Sequence, residues 1–409
     1  MGRLLLMMMG TGVLLLLPGR LAAADKLKLA DGDRVVLVGN TLIEREQRYG
    51  YWETALTSHY HDKRIIFRNL GWSGDTVFGD AQARFGTAAD GFKHLKEHVH
   101  ALKPTVIIAG YGLNESFKGK AGLPEFLKGL DALLDMLAQT KARIVLLSPL
   151  RQEDLGRPLP DPTEQNKNLQ MYRDALRKVA DKRGDPFVDL FDLPGRTTRG
   201  KPAAPLTDNG IHLTAFGYWR TTETVANELG LERPRWRVTL DGKGNSAAQG
   251  ARVVLDKRNP LSFKVTDAEL PVPPLPPRAP VKVPPADLER VLHVKGLAPG
   301  KYVLKIDGKV MMSAGAEAWA AGVKLRRGPE IDQVEQLRQA ILRKNRLYFH
   351  RWRPQNETYL FGFRKHEQGK NAREIVQFDP LIAKVETEIA RLRVPVSHQY
   401  DLIPEREKK

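Results

Sequence analysis

Val35-Val36-Leu37-Val38 runs directly into Gly39-Asn40-Thr41. Four apolar residues in a row, with no polar alternate, predict a strand covered on both faces. Glu44 to Tyr60 then reads as a helix. Working outward, the same signature recurs. Ile65-Ile66-Phe67, Thr105-Val106-Ile107-Ile108-Ala109, Arg143 to Ser148 and Phe187-Val188-Asp189-Leu190 read as strands. Phe92 to Leu102, Pro124 to Gln139, Thr163 to Arg183 and Thr214 to Leu229 read as helices. Pro124 is placed at a helix start, where its missing N–H costs nothing. This alternation, from Arg34 to Leu231, predicts a parallel sheet with helices on both sides.

The pattern changes after Arg233. Trp236 to Leu240, Ala251 to Leu255, Leu261 to Val265, Arg290 to Val294 and Tyr302 to Ile306 are short strand-like runs. Turns such as Asp241-Gly242 and Asp307-Gly308 separate them. The Pro-rich stretch from Leu270 to Pro285 reads as an extended loop. A small antiparallel β module over 234–315 is expected. From 316 to 409 a helical strap is expected to pack back on the α/β domain, with helices over Ile331 to Leu342 and Phe378 to Leu392. Residues 25–233 form the α/β domain in this division.

The N-terminus has a different character. Arg3, the apolar run Leu4 to Leu17 and the small residues Leu21-Ala22-Ala23-Ala24 have the layout of a secretory signal peptide over residues 1–24. The run is shorter than the roughly 20 residues of a spanning helix. A secreted or periplasmic protein, without stable membrane insertion after cleavage, is expected. The 409-residue chain has no cysteine, which excludes thiolate catalysis and disulfides. Its formal charge is +17, but Lys and Arg are scattered among acids and form no basic block. A generally basic surface is therefore expected, rather than nucleic-acid binding.

Four blocks fall just past predicted strands or just before helices, where an open α/β sheet gathers reacting groups. They are Gly39-Asn40-Thr41, Gly71-Trp72-Ser73-Gly74-Asp75-Thr76, Gly112-Leu113-Asn114-Glu115 and Asp208-Asn209-Gly210-Ile211-His212-Leu213. Acyl transfer needs a nucleophile, a base and donors aimed at a developing oxyanion. An imidazole such as His212 titrates near neutrality, and a Gly such as Gly74 permits close backbone approach.

In order and spacing these blocks resemble the SGNH, or GDSL-type, hydrolases over about 200 residues. The resemblance implies a flavodoxin-like three-layer α/β/α fold and an ester hydrolase that needs no cofactor or metal. It implies Gly74 and Asn114 as oxyanion donors, His212 as base, and Thr41 as nucleophile or water positioner. The sequence departs from the family at two places. Thr41 stands where the family has Ser, and Asn209, three residues before His212, stands where it has Asp; Asp208 lies one residue further back. Three readings follow. Thr41 attacks with His212 and Asp208 behind it; His212 activates water directly; or the pocket only binds.

The segment Asn345 to Gly369 is dense in aromatics, Arg and amides. Arg351, Arg353 and Asn356 suit a sugar or carboxylate ligand. Equally, the segment reads as a strap whose arginines pair with acids. The expected substrate is a small-molecule or carbohydrate ester, and the alternative is a degenerate protein that binds a glycan or a protein partner.

Overall fold

The structure, a computed structural model, describes residues 27–193, 197–198, 201–202, 204–231, 233, 235–280, 289–360, 362–367 and 371–405. The leader expected over 1–24 lies outside them. Five parallel strands form the central sheet: β1 (Arg34–Gly39), β2 (Ile66–Asn69), β3 (Val106–Gly110), β4 (Arg143–Leu147) and β5 (Phe187–Val188). Their order is β2-β1-β3-β4-β5. This is the flavodoxin-like order, and it places the topological switch point between β1 and β3.

The side chains of β1 explain the layers. Val35 and Leu37 enter one core, shared with α2 (Tyr51–His59) and α6 (Ala215–Glu228). Val36 and Val38 enter the other, shared with α3 (Ala88–Leu102), α4 (Gly119–Ala138) and α5 (Thr163–Arg183). A strand with no polar face is stable only when helices cover both sides. Burying a Val or Leu side chain contributes about 1.5–3 kcal/mol.

Two expected helices differ in detail. The run Glu44 to Tyr60 is two helices, α1 (Thr41–Tyr49) and α2. They break at Gly50, whose φ of 64° lets its N–H close α1 on the Glu46 carbonyl. Helix α4 begins at Gly119, which leaves Pro124 inside it. Lys120, whose carbonyl loses its partner there, is exposed.

After a small hairpin, β6 (Thr197–Thr198) and β7 (Lys201–Pro202), the β module begins. It comprises β8 (Arg237–Leu240), β9 (Ser246–Gln249), β10 (Ala251–Leu255), β11 (Ser262–Asp267), β12 (Arg290–Val294), β13 (Lys301–Ile306), β14 (Lys309–Gly315), β15 (Val323–Leu325) and β16 (Ser397–Pro404). Two sheets, β10-β11-β16-β13-β14 and β15-β12-β8-β9, contribute to one core around Val238, Phe263, Leu292, Leu304 and Tyr400. The module is not wholly antiparallel, because β12 and β8 pair in parallel.

The end of the chain also differs from the expected helical close. Ser397–Pro404 pairs with β11 and β13 in the middle of a sheet. Its pattern is period two: His398, Tyr400 and Leu402 are buried, while Gln399 and Asp401 between them are less so. Between α7 (Ala316–Ala321) with β15 and this strand lie α8 (Pro329–Trp352), the short α9 (Glu357–Leu360) and α10 (Phe378–Leu392). Helices α8 and α10 run antiparallel, as the contacts Gln333–Leu392, Arg343–Glu388 and Arg351–Asp379 require. Helix α8 docks on the α/β domain through a buried ion pair, Lys344 Nζ to Glu53 Oε1 at 2.7 Å.

Candidate active site

At the carboxyl edge of β1 the backbone turns sharply. Gly39 has φ 149°, and a Cβ there would meet the Gly110 carbonyl oxygen of β3 at 2.3 Å. Only glycine lets the two strand ends approach this closely. Asn40 then caps α1, with its Oδ1 accepting the Leu42 N–H at 3.1 Å. Asn performs this cap as well as Asp does, so the family's Asp is not required for the turn. Thr41 follows as the first residue of α1 and is buried.

The second block meets Thr41. The Gly74 N–H donates to Thr41 Oγ1 at 3.3 Å. Gly74 has φ 79° with open space around a hypothetical Cβ, so its dihedral and not crowding demands glycine. Asn114 lies beside it, donating from Nδ2 to the Asp75 carbonyl at 2.7 Å. Glu115 joins the two loops by accepting the Val77 N–H at 2.8 Å and the Gly112 N–H at 2.9 Å. Burial raises its carboxyl above the usual range. Burial likewise pushes the Asp75 carboxyl up to about 7.

His212 comes from the loop before α6. It shares a cavity with Thr41, Arg45, Tyr111, Ser148 and Gln152. The space is small, about 20 Å³, which is room for one or two waters. The distant blocks around Thr41 and His212 therefore meet. Among the described residues no hydrogen bond joins the Thr41 hydroxyl to the imidazole. Asn209 Nδ2 lies 3.2 Å from His212 Nδ1. Asp208 points elsewhere: its Oδ2 pairs with Arg45 Nη2 at 2.6 Å. Burial lowers the imidazole pKa, and the nearby Arg45 guanidinium lowers it further.

The strap residues are not in this cavity. Arg351 Nε donates to Asp379 Oδ1 at 2.9 Å. Arg353 stacks 3.5 Å from the centre of the Trp72 ring and lies 3.6 Å from Glu44 Oε2. Asn356 is exposed, and its carbonyl accepts the Tyr359 and Leu360 N–H groups. Glu44 in turn accepts the Ser73 N–H, next to Gly74. Arg353 thus reaches the Ser73-Gly74 loop through Glu44 and Trp72.

Sequence reasoning missed Glu153 and gave Arg45 no role. Arg45 lies four residues after Thr41, a spacing that puts both on one helix face. Glu44 and Glu46, on either side of it, are both buried. Glu153 accepts the Leu206 and Thr207 N–H groups at 3.0 and 2.8 Å and so fixes the base of the His212 loop. No local signal marks it.

A model of the GDSL-like lipase/acylhydrolase family matches residues 32–220, the span that carries all four blocks. This stretch is a GDSL-like lipase/acylhydrolase domain. Sequence comparison with curated proteins finds no significant match. Among solved structures, a gut microbial diltiazem-metabolizing enzyme shares the fold with a TM-score of 0.72 at 16% identity, over 93% of this chain and 100% of that one. That likeness runs beyond the GDSL-like domain through the β module and the C-terminal helices. An α/β hydrolase from the Lake Arreo metagenome matches 50% of this chain and 97% of its own, at 20% identity and a TM-score of 0.40. An acetylxylan esterase from Geobacillus stearothermophilus matches 50% of this chain and 98% of its own, at 19% identity and a TM-score of 0.39. The match to the acylhydrolase family covers the α/β domain and stops short of the β module.

Proposed function

We propose that the chain hydrolyses esters of short acyl groups, carried on a small molecule or a carbohydrate, and that it works outside the cytoplasm. One observation carries the reading: Thr41 receives the Gly74 N–H and shares a cavity of about 20 Å³ with His212. A space of that size excludes a long acyl chain. The leader-like residues 1–24 support export. In this mechanism Thr41 Oγ1 attacks the acyl carbon, His212 takes its proton, and the Gly74 N–H and Asn114 amide stabilise the oxyanion. The proton returns to the leaving alcohol, and water then releases the acyl group by the same steps.

The test is hydrolysis of 4-nitrophenyl acetate by wild type, Thr41→Ala and His212→Ala. Losses of about 10²-fold or more are expected in each variant. Equal rates would remove these residues from the mechanism. Asn209 favours a second reading, a pocket that binds without turnover, because its amide cannot stabilise an imidazolium as a carboxylate does. Wild-type turnover separates the two: an enzyme hydrolyses 4-nitrophenyl acetate faster than Thr41→Ala and His212→Ala do, and a binding protein shows no rate above those variants.

A further inference from the structure

The orientation of the Asn209 amide is decided by the backbone around it. Its Oδ1 accepts the Ile211 N–H at 3.1 Å and the His212 N–H at 2.9 Å. Reversing the amide would set its NH₂ against two N–H donors and lose both bonds. The NH₂ is therefore the end that faces His212 Nδ1, at 3.2 Å. A donor facing Nδ1 needs a lone pair there, so the proton of the neutral ring sits on Nε2.

We infer that Asn209 is a positioning residue that holds His212 as its Nε2–H tautomer, so that the ring rests as a hydrogen-bond donor toward its remaining neighbour. The carboxylate that could reverse this is engaged elsewhere, since Asp208 pairs with Arg45. Burial and the Arg45 charge also disfavour the doubly protonated ring. The inference rests on the reading of His212 as the base, and it changes the order of events. The ring proton must first move from Nε2 to Nδ1 by way of solvent, breaking the Asn209 bond. Only then can Nε2 take the Thr41 proton as the Oγ1–carbon bond forms and the carbonyl electron pair moves to oxygen. When that pair returns, the bond to the leaving oxygen breaks and Nε2 delivers the proton to it. Turnover is scaled by the fraction of the minor tautomer. The resting state, in contrast, suits a ligand oxygen that accepts a hydrogen bond.

The experiment is a two-bond nitrogen–proton correlation spectrum of the full chain, labelled with ¹⁵N-histidine, at neutral pH. The His212 signals are assigned by their loss in His212→Ala. A pyridine-like Nδ1 and a pyrrole-like Nε2 are expected in the wild type, and the reverse pattern overturns the inference. Asn209→Asp keeps the oxygen that accepts the two backbone N–H groups and offers the ring an acceptor. It should invert the pattern and raise kcat toward 4-nitrophenyl acetate by roughly 10²–10⁴-fold, the counterpart of an Asp-to-Asn loss of about 10⁴ in a Ser-His-Asp protease. An unchanged spectrum in Asn209→Asp also overturns the inference. An inverted spectrum with no gain in kcat upholds it and counts against the proposed function instead.

Discussion

The chemistry at single residues turns on what surrounds one imidazole. His212 is half-buried beside Arg45, and both effects lower its pKa, while Asp208 opposes them. If the neutral ring is the working form, the acidic limb of kcat/KM should lie below the ordinary imidazole value of about 6.5. Hydrolysis rates across pH 4–9 check this; a limb at or above about 6.5 contradicts it. The linked effect on stability has a definite sign. The unfolded chain protonates this ring at a higher pH than the folded one, so the ring's contribution to stability falls as pH drops from about 6.5 toward the folded pKa. Thr41 was legible in the sequence through its place after β1. The partner of Asp208 was not, because Arg45 and Asp208 are separated by 163 positions along the chain.

At the scale of elements, the strap α8–α10 takes part in the site without lining it. Arg353 reaches Trp72 and Glu44, and Glu44 holds the Ser73 N–H beside Gly74. Arg353→Ala should therefore lower kcat/KM by about tenfold or more while removing about 1–3 kcal/mol of stability. Arg353→Lys should rescue little, since an ammonium lacks the planar face that stacks on Trp72. Ester hydrolysis with urea melts of both variants checks this; full rescue by Lys would reduce the role to charge alone. The sequence marked these residues as unusual but left ligand and strap roles open. Arginine-rich aromatic segments look alike in either case until their partners are known.

Over the whole molecule, three bodies are held together by chain segments that return. Strand β16 brings the end of the chain into the middle of the β module. Helix α8 is tied to the α/β domain by Lys344, Asn345 and Glu53, all buried. Lys344→Met should leave the Glu53 carboxylate without its cation and destabilise the fold by about 3–5 kcal/mol. Adding Glu53→Gln should restore most of the loss. Chemical denaturation of the single and double variants checks the coupling; equal stability of all three would show that the pair does not hold the helix in place.

The local pattern by itself determined the layered α/β domain. Continuous apolar runs have one stable burial, and helix starts and stops follow from nearby residues such as Thr214 and Gly184. The order of the four blocks likewise pointed to the carboxyl edge of the sheet. The direction in which Asn209 presents its amide, the diversion of Asp208 to Arg45 and the return of Ser397–Pro404 to the β module were decided only by the tertiary structure. Each depends on groups distant in the chain, or on a local loop whose shape is set by such groups, as Glu153 sets the base of the His212 loop. Hydrogen-bond partners of that kind exist only once the chain has closed around them.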